Sequence, residues 1–166
     1  MGITFHANGK IDGIDNANFN NSLPSGHIIL VKNGTYTSTS NTTNSSDDTW
    51  QDFGCSANIT MSAASNKVLV SFSGSRILAN IAYNGLRIVR GSTAIRQFWC
   101  YNLNSNWDSD MIGTMHEDTP GAGTHTYKIQ QFTDHTTSQH LLNYIGNSTN
   151  SDGLAQIHIY LMEIKA

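Results

Sequence analysis

Charge is what this chain has least of. Only 13% of its 166 residues are Asp, Glu, Lys or Arg, against roughly 25% in an ordinary globular protein. Nine Lys and Arg oppose twelve Asp and Glu, for a net charge of -3. So weak a positive field cannot neutralise several phosphates, which argues against nucleic acid as a partner. Long apolar runs are missing as well. The longest strictly aliphatic stretch, Ile28 to Val31, falls far below the ~20 residues of a spanning helix, so no membrane insertion is expected. The opening MGITFHANGK lacks the apolar segment of a signal peptide, and synthesis in a cytoplasm is the expectation. Two cysteines, Cys55 and Cys100, both lie in strand-like text. Buried thiols are the commonest outcome there, and nothing indicates an oxidising compartment that would favour a disulfide. Two prolines in the whole chain leave every proposed strand uninterrupted.

Asn, Ser and Thr take the place of the missing charge and make up about a third of the chain. Apolar residues supply 38%, with 14 Gly in addition, enough to build a core in one domain of this length. A polar but nearly uncharged surface suits a protein held in a permanent assembly, because interface cores are depleted of Lys, Glu and Asp.

From Gly26 to Ala166 short apolar-alternating runs are broken every ten or so residues by Asn, Ser, Thr and Gly, the spacing of strands in a two-sheet sandwich. Strands are expected near 27–38, 49–61, 67–74, 76–83, 85–90, 94–102, 111–117, 124–132, 139–146 and 155–165. The fold class is therefore all-β, an antiparallel sandwich. In the closing run AQIHIYLMEIKA, Ile157, Ile159 and Leu161 point one way, and His158, Tyr160, Met162 and Ile164 the other. With both faces apolar, this strand is either central in the sandwich or covered on its second face by a partner chain. Thr119, Pro120 and Gly121 fit a type II turn. Asn84 and Gly85 read as a hairpin turn, and AASNK at 63–67 as the nearest candidate for a single helical turn.

Residues 1–25 read as an irregular N-terminal docking arm, and 26–166 as the sandwich domain. An arm of this composition frays unless something holds it. Ile3, Phe5, Ile11, Ile14, Phe19 and Leu23 are the apolar groups that would dock on a subunit or another protein.

No Gly-x-Ser-x-Gly elbow, His-Glu-x-x-His pair or Gly-x-x-x-x-Gly-Lys loop occurs, so the nucleophile, zincin and P-loop classes have no sequence support. Asp108, Asp110, Glu117 and Asp118 offer the paired carboxylates that glycoside hydrolysis needs, but acidic loop residues are usually solvated, and neither enzyme activity nor a cofactor is expected. Asn106, Asp108, Asp110 and Glu117 fall at calcium-loop positions, but Met111 stands where that loop needs Gly; an Asx-rich loop entering a strand is the plainer reading, and no metal is expected. Seven histidines are scattered without local metal-site spacing. Arg76, Arg87, Arg90 and Arg96 cluster in sequence, but alternation puts Arg87 and Arg90 on opposite faces, which favours separate ion pairs over a patch. Phe98, Trp99, Tyr101 and Trp107 form an aromatic cluster. Exposed, these rings would stack on sugars; buried, they are core or interface anchors, the preferred reading. Trp99, Trp107, Asp108 and Asp110 are the candidates for facing a ligand.

The strings SNKVLVSFSG, GLRIVRGSTAIRQ, DTPGAGTHTYKIQ and IHIYLMEIKA, in that order, resemble small structural proteins of tailed, marine-type bacteriophages: fibre, knob and capsid-decorating modules. The resemblance covers most of residues 28–166. It implies a jelly-roll-like sandwich assembled as a homotrimer at the virion surface, with no catalytic residues. Its implied partners are copies of itself, other virion proteins such as a major capsid or tail protein, and a host surface glycan. The 25 irregular N-terminal residues supply no stalk, which favours capsid decoration or cementing through the arm. A short tail or head fibre module for host attachment, or a free carbohydrate-binding lectin, is the alternative. In a virion surface protein Tyr160, Met162 and Ile164 join the arm in subunit or virion contacts; a free lectin would be stable without virion partners.

Overall fold

Alternation of apolar and polar residues builds this molecule strand by strand. The computed structural model describes residues 4–5, 11–12, 23–36, 42–43, 48–78, 82–103, 108–134, 139–140, 144–145, 148–149 and 157–166. Eight long strands carry the fold: β3 (Ile28–Tyr36), β5 (Gln51–Met61), β6 (Lys67–Leu78), β7 (Ala82–Arg90), β8 (Thr93–Asn102), β9 (Asp108–Asp118), β10 (Gly123–Thr133) and β14 (Ile157–Ile164). Six two-residue strands accompany them: β1 (Thr4–Phe5), β2 (Ile11–Asp12), β4 (Thr42–Thr43), β11 (Gln139–His140), β12 (Tyr144–Ile145) and β13 (Ser148–Thr149).

The long strands form two four-stranded antiparallel sheets, ordered β3-β14-β6-β9 and β5-β10-β7-β8. Pairing is nested. The first long strand lies beside the last, β5 beside β10, β6 beside β9, and β7 beside β8. A hairpin wrapped on itself in this way is a jelly roll, as the resemblance implied.

Alternation decides what lies between the sheets. Ile157, Ile159 and Leu161 of β14 are fully buried against Val68, Val70 and Phe72 of β6, and the second sheet contributes Ile59, Leu86, Ile88, Tyr127 and Ile129. Two polar groups are drawn inside with partners. Glu163 is fully buried, and its Oε1 accepts bonds from Ser62 N (2.8 Å), Ser62 Oγ (2.7 Å) and Asn66 Nδ2 (2.7 Å), so the turn after β5 is fastened to the end of β14. Asp118 accepts from Arg90 Nη1 at 2.8 and 2.7 Å and from the Tyr127 hydroxyl at 2.8 Å, which ties β9 of one sheet to β7 and β10 of the other.

Several strand boundaries differ from the sequence reading. Residues 67–78 are one strand rather than two runs parting near 75. Asn84 and Gly85 are not a hairpin turn: both are buried within β7, with Asn84 opposite Cys100 and Gly85 opposite Trp99. The turn-forming dipeptide gives way because Gly85 is needed as a residue without a side chain, beneath the rings of Trp50 and Trp99. Residues 63–66 form a single hydrogen-bonded turn, Asn66 N donating to Ala63 O at 3.2 Å, with no helix following it. In the 139–146 region only Gln139–His140 and Tyr144–Ile145 are described as strand. Thr4–Phe5 pairs with Ile11–Asp12, so the arm carries a small ladder of its own. Gly121 has φ 85, as the type II turn requires.

Candidate functional site

Both sheets turn an outer face away from the core, and the two faces differ in chemistry. On the β3-β14-β6-β9 sheet the outward row Val31, Met162, Leu69 runs across three strands, ending at Glu117 of β9. The neighbouring row is Asn33, Tyr160, Ser71, Met115, and Ile164 pairs with Ile28. Ile28 and Val31 are 52% exposed and Met115 65%; Leu69, Tyr160, Met162 and Ile164 are half-buried. β14 is thus central in its sheet and still apolar on its outward side. Gly26 N donates to Lys165 O at 2.8 Å and Lys165 N to His27 O at 2.9 Å, so the segment 23–26 meets the sandwich at the Ile28 and Ile164 edge of this face.

On the β5-β10-β7-β8 sheet two rows run side by side, two residues apart along the strands, a spacing of about 6.8 Å. The aromatic row places Trp50 just ahead of β5, Phe132 on β10, Gly85 on β7 and Trp99 on β8. Trp50 lies 5.3 Å from both Trp99 and Phe132 between ring centroids, and Trp99 lies 5.0 Å from Phe132 at 77°. Gly85 is the seat of this cluster. A Cβ there would stand 2.8 Å from Trp50 Cη2 and 3.0 Å from Trp99 Cζ3, so any side chain would displace the indoles. Tyr83 and Tyr101 pair in the following rung, their centroids 4.4 Å apart. Trp99 is 51% exposed, Tyr83 56% and Tyr101 46%.

The polar row is Asp52, Gln130, Arg87 and Gln97, one from each strand. Arg87 Nε donates to Gln130 Oε1 (2.7 Å), and Gln130 Nε2 donates to Asp52 Oδ1 (2.6 Å). Lys128 Nζ reaches Asp52 Oδ2 at 2.9 Å. The guanidinium of Arg87 also stands 4.3 Å over the Trp50 ring, which joins the two rows by a cation–π contact. Partial burial works to raise the Asp52 carboxyl, but the hydrogen bonds from Lys128 and Gln130 and the charges of Lys128 and Arg87 outweigh it and hold it below the usual carboxylate range. Partial burial lowers the Arg87 pKa, and the charge of Asp52 opposes that shift. The row is charged and fixed in geometry, and together with Lys128 it carries a single excess positive charge.

The structure brings only some of the sequence candidates together. Trp99 is on the outer surface and not in the core, while Phe98, its neighbour on β8, packs against the core. Tyr160, Met162 and Ile164 share the first face. Ile3, Ile14, Phe19, Asn106 and Trp107 lie outside the described residues, and Phe5, Ile11, Asp108 and Asp110 are described in backbone alone. Asp108 through Asp118 is one extended strand, which spreads the calcium-loop positions Asp108, Asp110 and Glu117 along about 30 Å instead of winding them round an ion. Glu117 pairs with Lys67 at 2.7 Å. Among the described residues no three His, Cys, Asp or Glu side chains converge on a metal position. Arg87 and Arg90 do part to opposite faces, one to the aromatic row and one to Asp118. Cys55 and Cys100 are not joined in a disulfide.

Trp50, Tyr83, Phe132 and the Asp52–Gln130–Arg87 network escaped the sequence reading because they come together only through strand pairing. The available signal was the alternation of Trp99 and Tyr101 with Phe98 and Cys100 in β8, which puts two aromatics on one side. No protein-family model matches this chain, and no curated protein matches it significantly.

Proposed function

We propose that this chain is a non-enzymatic bacteriophage virion surface protein that works as a subunit of a homotrimer, with capsid decoration or cementing as its role. The observation that carries the reading is the apolar outward face of the β3-β14-β6-β9 sheet, where Ile28, Val31 and Met115 stay open to solvent among the described residues. A patch of this kind marks an interaction surface. Its extent also says what else is needed. Four strands spaced about 4.8 Å apart and eight residues long span roughly 500 Å², short of the ~800 Å² that each partner contributes to a standard interface. The arm would supply the remainder by reaching a second subunit or the shell, since the segment 23–26 enters the sandwich at the Ile28 and Ile164 edge. The low overall charge supports the same reading.

Sedimentation of the purified chain tests it. A trimer is expected, and Met162→Lys, at the centre of the face, releases folded monomers; a wild-type monomer with ordinary solubility refutes the assembly. Electron microscopy of intact particles then locates the protein on capsid or tail. One observation favours the second reading, a fibre module for host attachment or a lectin: the half-exposed aromatic rings on the opposite sheet.

A further inference from the structure

Half-exposed tryptophan is costly to keep on a surface unless something uses it. Aromatics of the interior, Tyr127 at 0% and Phe72 at 1%, mark what full burial looks like in this protein. Trp99, Tyr83 and Tyr101 are about half open to solvent, yet they are not loosely held. Trp99 is braced by Trp50 and Phe132, Gly85 leaves the space that both indoles occupy, and Arg87 caps Trp50. The rings are therefore ordered before any ligand arrives, which lowers the entropy lost on binding.

We propose that the outward face of the β5-β10-β7-β8 sheet is a glycan-binding platform, on which Trp99 stacks the C–H face of a pyranose ring while the Asp52–Gln130–Arg87–Gln97 row takes its hydroxyls. The chemistry of both rows fits a sugar. A pyranose presents an apolar C–H face to a ring's π-system and hydroxyls at its rim, and carboxylate, amide and guanidinium groups bond such hydroxyls in pairs. Only Nε of Arg87 bonds Gln130, and among the described residues the two terminal amines are left as donors. Gln97 is exposed at the open end of the row, beside Trp99. A ring stacked on Trp99 lies about 6.8 Å from the polar row, one rung away. Single-stranded nucleic acid also stacks on aromatics, but it needs a basic groove along its backbone. Here Asp52 offsets one of the two cations Arg87 and Lys128, which leaves no basic groove, and the chain carries a net charge of -3.

This deepens the attachment reading and rests on it for its biological setting, but it does not require assembly. Affinity electrophoresis of the full chain through gels containing mannan, dextran, xylan or bacterial lipopolysaccharide tests it. Retardation is expected in at least one gel, with Trp99→Ala weakening it at least tenfold and Trp99→Phe only partly. Gln97→Ala, on the exposed rim, weakens it severalfold and decides the matter should Trp99→Ala fail to fold. Unaltered mobility in every gel overturns the platform, as does retardation that survives Trp99→Ala in a folded protein, or binding of oligo(dT) in place of every polysaccharide. A monomer that binds sugar would sink the assembly reading alone; a trimer that binds none would sink the platform alone.

Discussion

Replacing Asp118 by Asn changes one atom type and removes one charge at the point where the two sheets are laced together. In the native structure its two oxygens accept both bonds from Arg90 and the bond from the Tyr127 hydroxyl. The side chains of Arg90 and Asp118 are 27% and 12% exposed, so the pair is neither a surface bridge nor a fully buried one. Exposed ion pairs contribute about 0–1 kcal/mol, and breaking a buried one costs about 3–5 kcal/mol. The substituted amide keeps one acceptor for the phenol but leaves the guanidinium without its counter-charge, which puts the expected loss at about 2–3 kcal/mol. For a domain of this size that lowers Tm by roughly 5–10 °C. The matched control is Glu117→Gln, which breaks the Lys67 pair, whose side chains are 44% and 53% exposed; it should cost under about 1 kcal/mol. Urea unfolding at one fixed protomer concentration reads both, since association would otherwise shift the midpoint. A double-mutant cycle with Arg90→Met isolates the coupling. Equal losses for Asp118→Asn and Glu117→Gln would refute the idea that this cluster joins the sheets.

Other outcomes follow from burial and close approach. Burial pushes the Cys55 thiol from 9.0 up to about 11; its neutral form is the one the fold favours, so this contribution is intact below pH 9 and disappears as pH rises to 11, worth about 3 kcal/mol, measurable as a fall of the urea midpoint that Cys55→Ala reduces most between pH 9 and 10, below the range in which the buried Tyr127 phenol begins to contribute. The same burial keeps Cys55 unreactive toward a thiol reagent at pH 8 in the folded protein, and labelling as fast as in urea would contradict it. Gly34→Ala drives a methyl carbon into the Ser56 carbonyl oxygen, where β3 meets backbone that cannot yield cheaply; a loss of about 3 kcal/mol or more is expected in thermal unfolding, and a neutral result would sink the close approach. Gln131 is 1% exposed and its side-chain amide has no hydrogen-bond partner among the described residues. Gln131→Leu should therefore raise stability by about 1–2 kcal/mol in urea unfolding, and a destabilised variant would mean the amide is satisfied.

The strands were legible where local pattern and tertiary demand agree. β14 and β6 alternate strictly because each has an inside and an outside, and Gly121 follows Pro120 in a turn that needs a positive φ. The reading failed at Asn84 and Gly85, where the commonest hairpin dipeptide lies inside β7 because two indoles occupy the space above the glycine. Nothing nearby in sequence announces that need, since Trp50 and Trp99 are brought together by strands from distant parts of the chain. For the same reason the sequence leaves Trp99 open between the core, an interface and a ligand-facing surface: alternation gives a side, but only the sheet order tells which side meets water. The outward apolar residues of β14 were visible at once, because a strand apolar on both sides is itself unusual.

The place of β14 between β3 and β6 has a consequence for how the molecule is made. Among the long strands it is the latest to leave the ribosome, yet it fills the middle of its sheet. Until it emerges, the edges of β3 and β6 that it will join have no ladder between them, so the first sheet closes only after residues 157–164 are synthesised. Maturation is then a late, all-at-once event, and a nascent chain stalled before Ile157 should require chaperone protection that the finished protein does not.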